Sequence, residues 1–340
     1  MSNKDIIILG IESSCDDTSA AIIKNESILS NEIAGQDVHK AWGGVVPELA
    51  SRAHQQNIIP VVDAALKKAK IDKKDINAIA FTRGPGLMGS LIVGTSFAKS
   101  FALGLNIPLV EVNHMQGHIL AHFIDDDTKE KPQFPFLCLT VSGGHTQLVI
   151  VNDFLEMEII GTTKDDAAGE AFDKTAKLLG LPYPGGPLID KYAQLGDSTK
   201  FTFTKPQVPE LDYSFSGLKT NVLQFLQREK NKNENFVAEN LNDICASLQK
   251  TIIDILFDNL IKASKRFNIK EIAIAGGVSA NSGIRERLLS EGKKRNWKTH
   301  IPKFEYCTDN AAMIAIAGRY NYLAGNFSDQ SVSPSARLTF

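Results

Sequence analysis

The chain has 340 residues, 43% of them hydrophobic and 22% charged, with a formal charge of -2. That is the profile of a globular protein long enough for two domains with their own cores. It excludes a globally basic, polyanion-binding protein, so any nucleic-acid partner needs a local basic face or help from another subunit.

Cys15, Cys138, Cys245 and Cys307 are scattered, with no C-x-x-C pair. This argues against a cysteine zinc site and fits a reducing compartment. No segment reads as the roughly 18 apolar residues that a membrane span requires. The run Ile6 to Ile11, followed at once by Glu12, is too short for a signal-peptide core. The expectation is a cytoplasmic protein with no membrane association.

In chain order, Ile6 to Ile11 is a buried strand, Glu12 to Thr18 a small polar turn, and Ser19 to Ile23 the returning strand. Such a turn either presents N–H groups and hydroxyls to a phosphate or is a plain hairpin. Gly43 to Glu48 leads into a helical pattern through Leu66, whose Glu48, Arg52 and His54 read as solvated or cleft-lining. Ile76 to Phe81 is the next strand, and Gly84-Pro85-Gly86 a tight turn before a helix from about Ser90 to Leu103.

After the strand Leu109 to Val112, Asn113 is placed to cap a helix on which His114 and His118 stand one turn apart. Two imidazoles so spaced either chelate one transition metal or are ordinary half-exposed histidines, and His122 continues the same face. Asp125 to Pro132 is charged and ends in proline, as an inter-domain linker would.

Beyond it the opening theme returns. Phe136 to Val141 is a strand, Ser142 to Thr146 a turn and Gln147 to Val151 a strand, with Ser142 standing for Ser14 and Thr146 for Thr18. Two such hairpins, each opening a domain, indicate an internal duplication. Asp165 to Lys174 starts a helix, with Asp173 either solvated or a ribose-hydroxyl acceptor, and Pro184 to Pro187 is a rigid turn. Asp212 to Thr220 opens another helix, Lys230 to Asn235 is a polar surface loop, and Asn242 to Phe267 has helical apolar spacing.

Ile272 to Ala275 is a short buried strand, and Gly276 to Asn281 leads from it into a helix. Glycines at that junction let a flat ring or a phosphate approach the backbone. From Arg285 to Lys303 there are seven basic and two acidic residues, either a solvated helix face or a surface for polyanions. Tyr306 to Met313 reads as the end of a strand and the cap of a last helix. Asp309 there is a cap or a free carboxylate that completes a His-His-Asp metal site.

The two hairpins and the Gly-Gly junction resemble the actin-like, sugar-kinase and heat-shock ATPase superfamily. The strings Gly10 to Thr18, Gly43 to Glu48, His114 to His118, Val141 to Thr146, Gly276 to Asn281 and Cys307 to Asn310 resemble, more narrowly, the TsaD family of tRNA threonylcarbamoyltransferases, formerly described as O-sialoglycoprotein endopeptidases. The resemblance runs from about residue 6 to 325. It implies a duplicated actin-like (ribonuclease-H-like) α/β fold, two lobes around a nucleotide cleft. Residues 1–128, joined by a returning helix at about 309–325, would form the first lobe and 129–308 the second.

It further implies His114, His118 and Asp309 as ligands of one divalent metal, iron most often and zinc sometimes. Glu12 would be a catalytic carboxylate. Thr140, Val141, Ser142, Gly143, Gly144, Asp173, Gly186, Asp190 and Asn281 would hold the substrate or nucleotide. The implied reaction transfers the threonylcarbamoyl group from threonylcarbamoyl-AMP to the exocyclic amine of the adenosine next to a tRNA anticodon. The implied partners are tRNA, a TsaB-like paralogue and a TsaE-like small ATPase, with an adenine nucleotide in the cleft. His122 has no implied role.

Three rivals remain. A zincin protease needs H-E-x-x-H, and Met115 stands where its glutamate would be. An ATPase or kinase of the same superfamily explains the hairpins but leaves the histidines idle. A non-enzymatic scaffold should lack them.

Overall fold

The computed structural model describes residues 5–125, 130–206 and 208–340. In chain order the elements are β1 (Ile7–Glu12), β2 (Thr18–Lys24), β3 (Ser27–Ala34), α1 (Pro47–Ala69), β4 (Ala78–Gly84), α2 (Met88–Leu105), β5 (Leu109–Asn113) and α3 (His114–Leu120). Then come β6 (Phe136–Val141), β7 (Thr146–Asp153), β8 (Glu156–Thr162), α4 (Ala168–Leu178), α5 (Gly185–Ala193), α6 (Ser216–Lys230) and α7 (Phe236–Phe267). The chain closes with β9 (Glu271–Ala275), α8 (Ser282–Arg295), β10 (Lys298–His300) and α9 (Ala311–Leu323). They form two units: residues 1–131, 153–156 and 302–340, and residues 132–152 and 157–301. The middle of the expected linker lies outside the described residues. Its last lysine is tied down, Lys131 binding Glu26 and Asp125 at 2.6 Å each.

Each unit is built on a five-stranded sheet, ordered β3-β2-β1-β4-β5 in the first and β10-β9-β6-β7-β8 in the second. In both, the first pair is antiparallel and the centre strand then meets a later strand in parallel. The registers correspond as well. Glu12 faces Ser19 as Thr140 faces Gln147, and Ile8 faces Ile23 as Phe136 faces Val151. The duplication read from two turns therefore extends to whole sheets.

Side chains alternate across a strand, so the first sheet has two different faces. Leu9, Ile11, Ile79 and Phe81 point to one face and pack under Ile58 and Val62 of α1 and Ala98 and Ala102 of α2. Gly10 and Ala80 point to the other, where α9 lies. A Cβ on Gly10 would run into the Ala311 carbonyl and Ala315, and one on Gly318 into Ala80. The run Ala311, Ala312, Ala315, Ala317, Gly318 thus lets helix and sheet approach at backbone distance. In the second unit Leu137, Leu139, Ile272 and Ile274 share a core with Phe172 of α4, Ile189 of α5, Leu218 of α6 and Leu256 of α7.

Three expectations are corrected. Residues 304–306 form a one-turn 3-10 helix and not a strand, so α9 is entered from a turn. His54 is fully buried and not solvated. α2 does have the length and mean hydropathy of a membrane span, 1.3 over 18 residues, although glycines, serines and Lys99 interrupt it. Its Leu91, Ala98 and Ala102 are core residues.

Gly318→Ala should lower stability by about 1–3 kcal/mol, the usual cost of overpacking. Gly104→Ala, in a helix with open space where the Cβ would go, should be neutral or gain up to about 1 kcal/mol. Urea unfolding midpoints of the two variants check both.

Candidate metal centre and nucleotide turn

Asn113 ends β5 and caps α3, its Oδ1 accepting from the N–H of Met115 at 2.9 Å and of Gln116 at 3.3 Å. His114 and His118 then stand one turn apart, both buried, with ring centroids 4.7 Å apart and nearly perpendicular. Gly117 faces α9 from the same short helix, where a Cβ would come within 3.0 Å of Ile314. The histidine helix and α9 are therefore pressed together.

Asp309 reaches the histidines from the turn before α9. The sequence left it as cap or ligand, and the cap is its neighbour: Asn310 Oδ1 accepts from the Met313 N–H at 3.1 Å. That frees Asp309, whose Oδ1 lies 3.4 Å from His114 Nε2 and 3.2 Å from His118 Nε2. The three ligand atoms all lie within 4.8 Å of one another. His118 has neither ring nitrogen hydrogen-bonded, though both are buried. Leaving such atoms unpaired is costly, and a cation shared with His114 and Asp309 would satisfy Nε2. The donor set, two imidazoles and one carboxylate, suits a transition metal with positions left open. His122 lies in a 3-10 turn beyond α3 and is not part of this cluster.

Glu12 sits behind His114 and is wholly buried. Its Oε2 is 3.0 Å from His114 Nδ1 and accepts from Thr82 Oγ1 at 2.6 Å, while Oε1 accepts from the Ser14 N–H. A carboxylate on Nδ1 fixes the tautomer and turns Nε2 toward Asp309. Burial works against charge on all three groups, but their mutual attraction prevails. Glu12 and Asp309 are held below the ordinary carboxylate range, and His114 well above the ordinary imidazole range by Glu12 and Asp309. Burial instead lowers His118.

What holds the turn after β1 is not legible in the local sequence. His54 of α1 does so, with Nδ1 2.7 Å from Thr18 Oγ1 and Nε2 3.0 Å from the Cys15 carbonyl. Asp17 in that turn is pushed up to about 7, by burial first and then by Asp16, Asp309 and Glu12.

In the second unit, Ser142 closes its turn by accepting from the His145 N–H at 3.0 Å. Thr140 is buried beneath, donating to the Gln147 carbonyl at 3.2 Å. Gly276, at φ 86°, lies against the Val141 carbonyl, which only a residue without a Cβ can do. Gly143, Gly144 and Gly277 have open space where side chains would be. Asp173 Oδ1 accepts from the N–H groups of Gly185 and Gly186 at 2.8 and 3.1 Å, and Oδ2 has no partner among the described residues. Burial raises this carboxyl despite those two donors.

Asp190 accepts from Ser282 Oγ at 2.7 Å, from the Ser282 N–H at 2.9 Å and from Gln249 Nε2 at 3.1 Å. Asn281 caps α8 through the Ile284 N–H at 3.1 Å and donates to Gln249 Oε1 at 2.7 Å. Gln249 and Ser282, which the sequence did not single out, thus join Asp190 to Asn281.

Two sheets of matching order, each an antiparallel meander extended by parallel strands, define a duplicated actin-like, ribonuclease-H-like protein. Solved structures share this fold. Full-length HypF in its phosphate- and nucleotide-bound form aligns at TM-score 0.62 and 14% identity, over 96% of this chain and 47% of that one. Component A of the Acidaminococcus fermentans (R)-2-hydroxyglutaryl-CoA dehydratase aligns at 0.51 and 16% identity, over 94% and 99%.

Within that class the chain belongs to the TsaD family, whose profile, tRNA N6-adenosine threonylcarbamoyltransferase, matches residues 27–316. Proteins of that name are 65% identical in Christiangramia forsetii, over all of both chains, and 61% identical in Riemerella anatipestifer, over 98% of each. The relative from Porphyromonas gingivalis is 58% identical over 99% of each.

Metal content, read by atomic emission after purification and dialysis, should fall to background in His118→Ala and Asp309→Ala. Glu12→Gln should keep the site with metal affinity weakened about 10- to 100-fold, the usual effect of losing a ligand's orienting partner. Separately, Asp17→Asn should stabilise the metal-free protein. A carboxyl with its folded pKa raised to about 7 loses stability as pH climbs from the unfolded value toward 7. The gain in denaturant midpoint should therefore be larger at pH 8 than at pH 5.

Proposed function

We propose that this chain is a tRNA N6-adenosine threonylcarbamoyltransferase, moving the threonylcarbamoyl group from threonylcarbamoyl-AMP to the exocyclic amine of the adenosine beside the anticodon. The observation that carries the reading is the set of His114, His118 and Asp309, its two histidines buried, in a chain that matches, end to end, relatives bearing that name. In the transfer, the amine nitrogen bonds to the carbamoyl carbon, the bond from that carbon to the phosphate oxygen breaks, the amine loses a proton and AMP departs.

An aromatic amine is a weak nucleophile, whereas AMP leaves readily. Positioning and electrostatics therefore carry the rate more than a strong acid does. A divalent ion on His114, His118 and Asp309, iron expected and zinc possible, supplies Lewis-acid polarisation of a substrate oxygen when bound. Glu12 then acts as a positioning residue, holding His114 through Nδ1. In the second unit, the open backbone at Gly143, Gly144 and Gly277 would admit the phosphate and purine, and the free Oδ2 of Asp173 would accept a ribose hydroxyl. Asp190 and Asn281 would act by fixing the loop through Gln249 and Ser282. The partners implied by the family are a TsaB-like paralogue and a TsaE-like small ATPase, and the compartment is the cytoplasm, where tRNA is modified.

The zincin rival fails on Met115, which cannot activate water. An ATPase or kinase of the same fold would have no use for the histidine and aspartate set.

A transfer assay with labelled threonylcarbamoyl-AMP, unmodified tRNA and the partners present tests the proposal. His114→Ala and Asp309→Ala should lose at least about 100-fold in kcat/KM, of the order seen when one electrostatic group is removed. Variants that modify tRNA like the wild type would remove the metal role, and modification without this chain would remove the function.

A further inference from the structure

The basic excess noted between Arg285 and Lys303 has a place in the second unit. α7 and α8 both end in left-handed asparagines, Asn268 and Asn296, and feed the adjacent parallel strands β9 and β10. The last turns of these helices and the first residues of the strands therefore meet at one edge of the sheet. The Lys298 N–H donates to the Lys270 carbonyl at 2.9 Å, so the two strand entries are neighbours.

Lys262, Lys265, Arg266, Lys270, Lys293, Lys294 and Lys298 are all exposed along this edge. Three acids nearby are already engaged. Glu271 is 2.7 Å from His300, Glu291 is buried among Arg287, Lys294 and Arg295, and Glu210 pairs with Arg266. Lys265, Lys270, Lys293 and Lys298 have no ion-pair partner among the described residues. Lysines in a last helical turn complement the helix dipole, but Lys270 and Lys298 lie outside the helices, so that explanation covers only part of the set. In a chain of net charge -2, positive charge has been gathered at one edge.

We propose that this edge is a contact surface for the sugar-phosphate backbone of the RNA substrate, taking phosphates away from the reacting adenosine. The inference rests on the transferase reading above. The edge lies at the opposite end of β9 from the Gly276-Gly277 turn, about 17 Å away at the usual rise per residue. A mononucleotide bound at the turn would not reach the edge, whereas a folded tRNA would. Phosphate contacts of this kind add affinity and salt dependence without sequence preference.

The test is the full-length chain carrying Lys265→Gln, Lys270→Gln, Lys293→Gln and Lys298→Gln, with Lys73→Gln/Lys74→Gln in the first unit as control. Binding of full-length tRNA is measured from 50 to 200 mM salt, with transfer kinetics alongside. At roughly 0.7–0.9 per phosphate contact, the slope of log affinity against log salt should become shallower by about 3. Affinity at low salt should fall at least about tenfold, with kcat at saturating tRNA and the melting temperature unchanged. Binding of AMP should not change, and the control should behave as wild type. A variant with wild-type slope and affinity, or a control that loses as much, overturns the surface. A wild type that shows the salt dependence yet transfers nothing overturns the functional reading and leaves the surface in place.

Discussion

The close seating of α9 on the first sheet is the contact on which the candidate centre depends. Asp309 comes from near the far end of the chain, and it reaches His114 and His118 only because α9 lies on β1 and β4 at backbone distance. Gly10, Gly318 and the alanines between 311 and 317 allow that approach, and Gly117 gives α3 the same closeness to α9. Dispersion gained across so short a gap is lost quickly as it widens. The packing that stabilises the unit is thus also what fixes the ligand set. Asn310 completes the arrangement by serving the helix end, so the carboxylate beside it stays available.

The duplicated sheets show one scaffold carrying two chemistries. At the end of the centre strand, the first copy has Glu12 and the second, in the same register, Thr140. Glu12 is buried against His114 and serves a charged cluster, whereas Thr140 makes a neutral contact under an open glycine turn. Function here follows from the residues set on the fold and not from the fold itself.

Much of this was legible in the sequence because its signals are local. The two strand–turn–strand openings, the four-residue spacing of the histidines, the Asn113 cap and the Gly276 junction each lie within a few residues. β3 and β8 were missed because SILSNEIA and EMEIIGT mix polar residues with partial burial and lack a clean alternation. The strand expected before Asp309 was wrong because hydrophobic residues at 304–306 serve a single helical turn, with Phe304 left exposed. Gln249 and Ser282 could not be found in advance, and His54 was noticed without its partners, since each acts on a backbone or side chain at least 30 residues away. Glu12 was noticed, but its partner was not, because nothing local relates position 12 to position 114.

The central claim is that two imidazoles and one carboxylate share a single ion. X-ray absorption at the metal edge of the purified, metal-loaded chain tests it most directly. The account predicts a first shell of nitrogen and oxygen at about 2.0–2.2 Å, with the outer-shell scattering of two imidazole rings. A sulfur shell near about 2.3 Å, or a shell without imidazole scattering, would contradict it.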